Sequence, residues 1–189
     1  ALAAARASAD RRAEWEALHA LGMLWAARDY ERAGAYRLAA LDVARAIDDP
    51  ALVAHSLNRV GNWHVNSERP YDGIPHHDEA LAIFEAAADR RGVAETVDLL
   101  AMANRDLAIV YSYSGQLEKA EEFAREALKH EARDPKLVVG PANKVIGDVQ
   151  TRRGDYAGAV ASYETALANS SQRYAPLVQS SLVNALIES

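Results

Sequence analysis

The sequence predicts an all-α fold built from tandem antiparallel helix pairs, and three observations predict it. The first is composition. Alanine fills about a fifth of the 189 residues, half of the chain is hydrophobic, only 7% is aromatic, and Gly and Pro are few. Alanine is the best helix former and lets helices approach closely. The second is internal similarity. SGQLEKAEEFAREAL (114–128) aligns without a gap on RGDYAGAVASYETAL (153–167), pairing Gly115 with Gly154, Ala120 with Ala159 and Ala127-Leu128 with Ala166-Leu167. Upstream, Leu107-Ala108 and Tyr111 pair with Ile146-Gly147 and Gln150. The third is punctuation. Asp49-Pro50 and Asp134-Pro135 each set a capping side chain before a proline at the first helical position, and Gly115 and Gly154 suit helix ends that need positive φ.

These signals place nine helices, at about 11–27, 30–47, 50–66, 72–90, 94–114, 116–130, 135–153, 155–169 and 173–187. Two further copies of the paired pattern are fainter. One runs through Val60-Gly61, Gly73 and Ala80-Leu81, the other through Leu21-Gly22, Trp25, Ala33 and Ala40-Leu41. The equivalent small residues Gly22, Gly61, Ala108 and Gly147 are separated by 39, 47 and 39 residues. Small residues mark where helices cross. Trp15, Trp25, Trp63, Phe84 and Phe123 are expected in the core. Pro141 falls inside the seventh helix, where proline costs about 3 kcal/mol, so a kink or a late start near Gly140 is expected. The last helix has no partner in sequence.

The pattern L-G-x-x-Y, then G-D-Y, then A-x-x-x-Y-x-x-A-L resembles the tetratricopeptide repeat, over essentially the whole chain. The usual repeat has about 34 residues; the extra residues here extend the second helix, as in AIFEAAADRRG. Longer repeats of this kind look like the sensor arrays of large bacterial transcriptional or signalling regulators. The resemblance implies a right-handed superhelical solenoid in one domain, 1–189. It divides into repeats at about 11–49, 50–92, 93–133 and 134–171, with a terminal helix over 172–189. The chain opens on Ala1 and ends within helical-looking SLVNALIES, so a fragment of a longer protein is expected.

Composition also excludes. A net charge of −6 argues against a general nucleic-acid or membrane-surface binder, and no apolar run reaches a membrane span's length. With no cysteine, thiol catalysis and cysteine-based zinc sites are out. No phosphate-binding glycine loop, nucleophile elbow or dinucleotide fingerprint occurs. Arg153-Gly154-Asp155 reads as a turn, and nothing indicates that Asn169-Ser170-Ser171 is glycosylated. Pro75-His76-His77-Asp78-Glu79 reads as a solvated helix start with Asp72 as its cap. Adjacent histidines diverge by about 100° on a helix, whereas a helical metal pair needs a spacing of three or four. No metal or cofactor is expected. The cluster His64, His76 and Asp72 is the only arrangement that would suit an enzyme.

One polar stripe is less easily explained by stability. Asn58, Asn62 and Asn66 follow each other at intervals of four on the third helix. The resemblance implies that this side of each first helix lines a concave binding face. That face would carry His19 and Met23, then His55, Asn58, Asn62 and Asn66, then Arg105, Ile109 and Tyr113, then Lys144, Asp148 and Arg152. Asparagine offers donors and an acceptor that suit a peptide backbone, and the cations suit a carboxylate or phosphate. The expectation is a cytoplasmic, non-enzymatic module for protein–protein interaction or ligand sensing, taking a protein or peptide partner or a small polar ligand. The alternative is a structural, self-associating spacer with an empty groove.

Overall fold

The computed structural model describes residues 1–130 and 134–189. The fold is all-α, with ten helices among the described residues: α1 (Leu2–Ala7), α2 (Arg11–Trp25), α3 (Tyr30–Ile47), α4 (Pro50–Asn66), α5 (Pro70–Ala86), α6 (Arg90–Tyr113), α7 (Leu117–Lys129), α8 (Pro135–Arg152), α9 (Tyr156–Ala168) and α10 (Ala175–Glu188). None of them is long and apolar enough to cross a membrane. The expected boundary at 133 lies outside the described residues.

Aspartates start several of the helices. The carboxylates of Asp10, Asp29, Asp49, Asp134 and Asp155 each accept a first-turn backbone N–H, at 2.9–3.0 Å. Gly115 and Gly154 take φ of +76° and +79°, as their turns require.

Three boundaries differ from expectation. Helix α5 begins at Pro70, whose fixed φ suits a first helical residue, so Asp72 lies in the first turn and is not the cap. Helix α6 begins at Arg90, because Asp89 accepts from the N–H groups of Arg91 and Gly92. Helix α8 starts at Pro135 and runs through Pro141 to Arg152, with neither a late start nor an interruption. Proline at 141 has no N–H for the carbonyl of Leu137, four residues earlier. Arg105 supplies the missing donor: its Nη1 reaches the Leu137 carbonyl at 2.7 Å.

The chain forms two compact units. In the first, residues 1–99, consecutive helices from α1 to α5 pack on one another. Leu18, Ala40 and Val43 form one core cluster, and Leu41, Ala54, Leu57, Val60, Ala80 and Phe84 another. Helices α4 and α5 approach most closely where Gly61 meets Gly73. A Cβ on Gly61 would fall 2.9 Å from the Gly73 carbonyl oxygen and 2.7 Å from the His77 ring. In the second unit, residues 100–189, α7 packs on α8, α8 on α9 and α9 on α10. Its cores are alanine- and valine-rich, around Ala108, Ala124 and Val145 and around Ala159, Tyr163 and Val178.

The longer side-chain hydrogen bonds between helices have similar sequence separations, beside shorter ones between neighbouring helices such as that of Asn58 with His77, 19 residues apart. Trp15 reaches Ser56 across 41 residues, Asn58 reaches Thr96 across 38, and Trp63 reaches the Tyr30 carbonyl across 33. In the second unit Arg105 spans 32 residues and Arg152 spans 40. Of the five expected core aromatics, Phe84 is fully buried and Phe123 packs against its cluster, stacked on Tyr111. The tryptophans are half-buried. Trp25 lies beneath the Arg32 guanidinium and Trp63 faces that of Arg69.

Candidate functional site

The asparagine stripe divides between core and surface. Asn58 is 2% exposed and links three helices: its Nδ2 donates to Thr96 Oγ1 of α6 at 2.8 Å, and its Oδ1 accepts from His77 Nδ1 of α5 at 3.1 Å. Thr96 Oγ1 donates onward to the Gly92 carbonyl. Asn58 is therefore not a binding-face residue. A spacing of four advances about 40° around a helix, so two steps turn the stripe by about 80°. Asn62 is half-buried and accepts from Asn66 Nδ2 at 3.0 Å; Asn66 is exposed. Asn66 lines an open groove of about 740 Å³ together with Tyr30, Leu38, Trp63 and Arg69.

The expected solvated helix start holds only in part: Pro75, Asp78 and Glu79 are exposed, but His76 is half-buried and His77 is buried. His77 is fully buried over Gly61, and burial, reinforced by neighbouring His76, pushes its pKa down to about 4. With Nδ1 carrying the hydrogen for Asn58, Nε2 is left buried without a partner. His76 stacks on His64, with ring centroids 5.4 Å apart, and burial lowers both pKa values. His64 Nδ1 lies 4.0 Å from Asp72 Oδ2, too far for a hydrogen bond. Among the described residues no three His, Asp or Glu side chains converge as metal ligands.

The first unit nevertheless gathers basic groups between α2, α3 and α4. His19 stacks on Trp15, which is tied to α4 through Ser56. His55 meets the Phe84 ring edge-on at 5.1 Å. Arg59, one turn further along α4, pairs with Glu95 at 3.7 Å. Arg37 enters from α3, its Cγ 3.1 Å from where a Gly22 Cβ would stand. Burial lowers the pKa of His19, with further contributions from the charges of Arg59, His55 and Arg37. Burial also lowers that of Arg37, and Arg59 adds to the effect. Met23, one turn beyond His19, is 54% exposed. The groups that sequence reasoning missed here are Arg37 and Arg59. The signal for Arg37 was available: Ala33, Arg37 and Leu41 follow one stripe of α3, and its two neighbours on that stripe are buried.

In the second unit the expected cations are engaged within the protein. Arg105 binds Asp106 as well as the Leu137 carbonyl. Lys144 pairs with Asp148 at 2.7 Å, and Asp148 also accepts from Tyr163 Oη. Arg152 donates to the Ser112 carbonyl at 3.1 Å. Ile109 packs on the core cluster, whereas Tyr113 is 83% exposed. Burial raises Tyr174 to about 12, helped by the nearby charges of Asp148 and Tyr113.

Geometry thus defines a class: an all-helical protein of paired helices with a polar, partly basic face on its first unit. No family model and no curated protein matches the chain. Among solved structures it is similar to BtubC (BKLC) from P. vanneervenii, at 21% identity and a TM-score of 0.60, covering 99% of this chain and 79% of that one. At that identity the likeness speaks for the fold.

Proposed function

We propose that the chain is a non-enzymatic interaction module of tetratricopeptide type, one that binds a peptide segment of a partner across the α2–α4 face of its first unit. The observation that carries this reading is the grouping there of exposed Met23, half-buried Asn62 and the cluster of His19, Arg37, His55 and Arg59. Internal similarity and inter-helix bonds of comparable span support the repeat assignment. Solenoids use such faces because each added helix pair extends the surface. The regulatory setting and cytoplasmic location belong to this proposal and rest on the sequence resemblance.

Selection of displayed random peptides against the intact chain tests the reading. Enriched peptides are expected to lose at least about tenfold in affinity to the Met23→Glu/Asn62→Ala variant, which removes apolar contact and a polar pair at the face. Helix content should not change. Unchanged affinity moves the site elsewhere, and a selection that enriches nothing removes the reading. A second reading is a self-associating spacer. It is favoured by Val183, Leu186 and Ile187, exposed at spacings of three and four on α10. Mass that rises with concentration and is restored to that of a monomer by Ile187→Lys would favour it.

A further inference from the structure

We infer that the open groove between the start of α3 and the end of α4 takes an arginine side chain of a partner peptide, stacked on the Trp63 indole and held by Glu31 and Glu68. None of His19, Arg37, His55 and Arg59 lines this groove, so it is a second site, independent of the basic cluster. Its volume of about 740 Å³ is that of a ligand cleft. Trp63 is fixed within it. The indole Nε1–H donates to the Tyr30 carbonyl at 2.9 Å, and a Cβ on Gly34 would collide with the ring, so the ring lies where only glycine admits it. Tyr30 and Leu38 are exposed on the α3 side.

The indole already faces a guanidinium. Arg69 Cζ stands 5.1 Å from the ring centroid, a looser contact than the 3.9 Å of Arg32 over Trp25. Arg69 is exposed, makes no capping hydrogen bond at the start of α5 and has no ion-pair partner among the described residues. Glu31, in the first turn of α3, and Glu68, between α4 and α5, line the same groove, and neither has an ion-pair partner among the described residues. Two carboxylates less one guanidinium leave one negative charge beside an aromatic ring, so a cation is the complementary ligand. Guanidinium fits better than ammonium, because its plane stacks on an indole while its edge donates to carboxylates. Arg69 takes the stacking position without pairing with either glutamate. An arginine arriving on a peptide can do both, and Arg69 then returns to water. Tyr30 and Leu38 give apolar contact to the residues beside that arginine.

The experiment is an NMR titration of the whole chain with the capped tripeptide Leu-Arg-Leu, read at the Trp63 indole N–H. Leu-Lys-Leu, Leu-Gln-Leu and Leu-Glu-Leu are the comparison probes. Leu-Arg-Leu should shift that resonance saturably, Leu-Lys-Leu should bind more weakly, and the other two should leave it in place. Glu31→Gln/Glu68→Gln should weaken binding roughly fivefold. Glu122→Gln/Glu164→Gln, the same charge change at exposed positions of the second unit, should leave it unaltered. Arg69→Gln removes the competing guanidinium and should tighten binding about two- to fivefold. No shift with Leu-Arg-Leu, or full affinity in Glu31→Gln/Glu68→Gln, overturns the inference. Weaker binding in Arg69→Gln, or Leu-Glu-Leu binding in place of Leu-Arg-Leu, also overturns it, because the groove would then be reading an anion through Arg69. Equal affinity for Leu-Lys-Leu removes the stacked arginine and leaves charge alone. Should the double glutamate variant unfold, the sign of the Arg69→Gln effect decides.

Discussion

Arg105 carries two roles that its sequence context separates poorly. The family resemblance implies a groove cation, yet its guanidinium replaces the N–H that Pro141 denies to the Leu137 carbonyl. This yields a double-mutant prediction. Arg105→Ala should cost about 1 kcal/mol or less through this bond in urea denaturation, because Leu137 is exposed and water can take over its carbonyl. In a Pro141→Ala background the restored N–H serves Leu137 and the cost should shrink. Equal costs in the two backgrounds would show that the bond is incidental. His77 gives a second test. Its unfolded pKa near 6.5 falls to about 4 in the fold, so between those values the unfolded chain binds more protons. Stability therefore declines as pH drops from about 6.5 and levels off below about 4, by up to roughly 3 kcal/mol from this residue. His64 and His76 push in the same direction. Denaturation midpoints at several pH values measure the slope, and His77→Asn should flatten it. Residue identity told us that these side chains were polar. Their burial was illegible, because it depends on α5 and α6 closing over α4.

At the scale of the helix, the small crossing residues were the most legible feature. Gly22, Gly61, Ala108 and Gly147 are all buried, as is Ala159 in the aligned copy. A side chain longer than a methyl group has no room there, and a charged one has no partner. Ala159→Asp should therefore cost about 3 kcal/mol or more. A thermal midpoint equal to that of the unaltered chain would put Ala159 elsewhere on its helix. Helix α1 was missed for the opposite reason. Six residues of LAAARA carry no apolar periodicity and no capping side chain. The helix is held by tertiary contacts: Leu2 packs beside Leu18, and Arg6 Nε donates to Glu14 at 2.8 Å. Pro141 misled for a related reason, since its compensation lies 36 positions away, on another helix.

For the whole molecule, the all-α class followed from alanine content and punctuation, whereas the basic cluster needed three helices in register before it existed. Each core cluster lies inside one compact unit. Destabilisation should therefore be felt locally: Ala159→Asp should speed amide hydrogen exchange in 100–189 well before it does so in 1–99. Uniform acceleration along the chain would mean that the units open together. Among the described residues the inter-helix side-chain hydrogen bonds span at most 41 residues, and that limit has a kinetic consequence. No such contact has to wait for distant ends to meet, so loop closure is short at every step. A chain wired this way has low contact order and folds in the microsecond-to-millisecond regime of helical proteins, able to start from either unit.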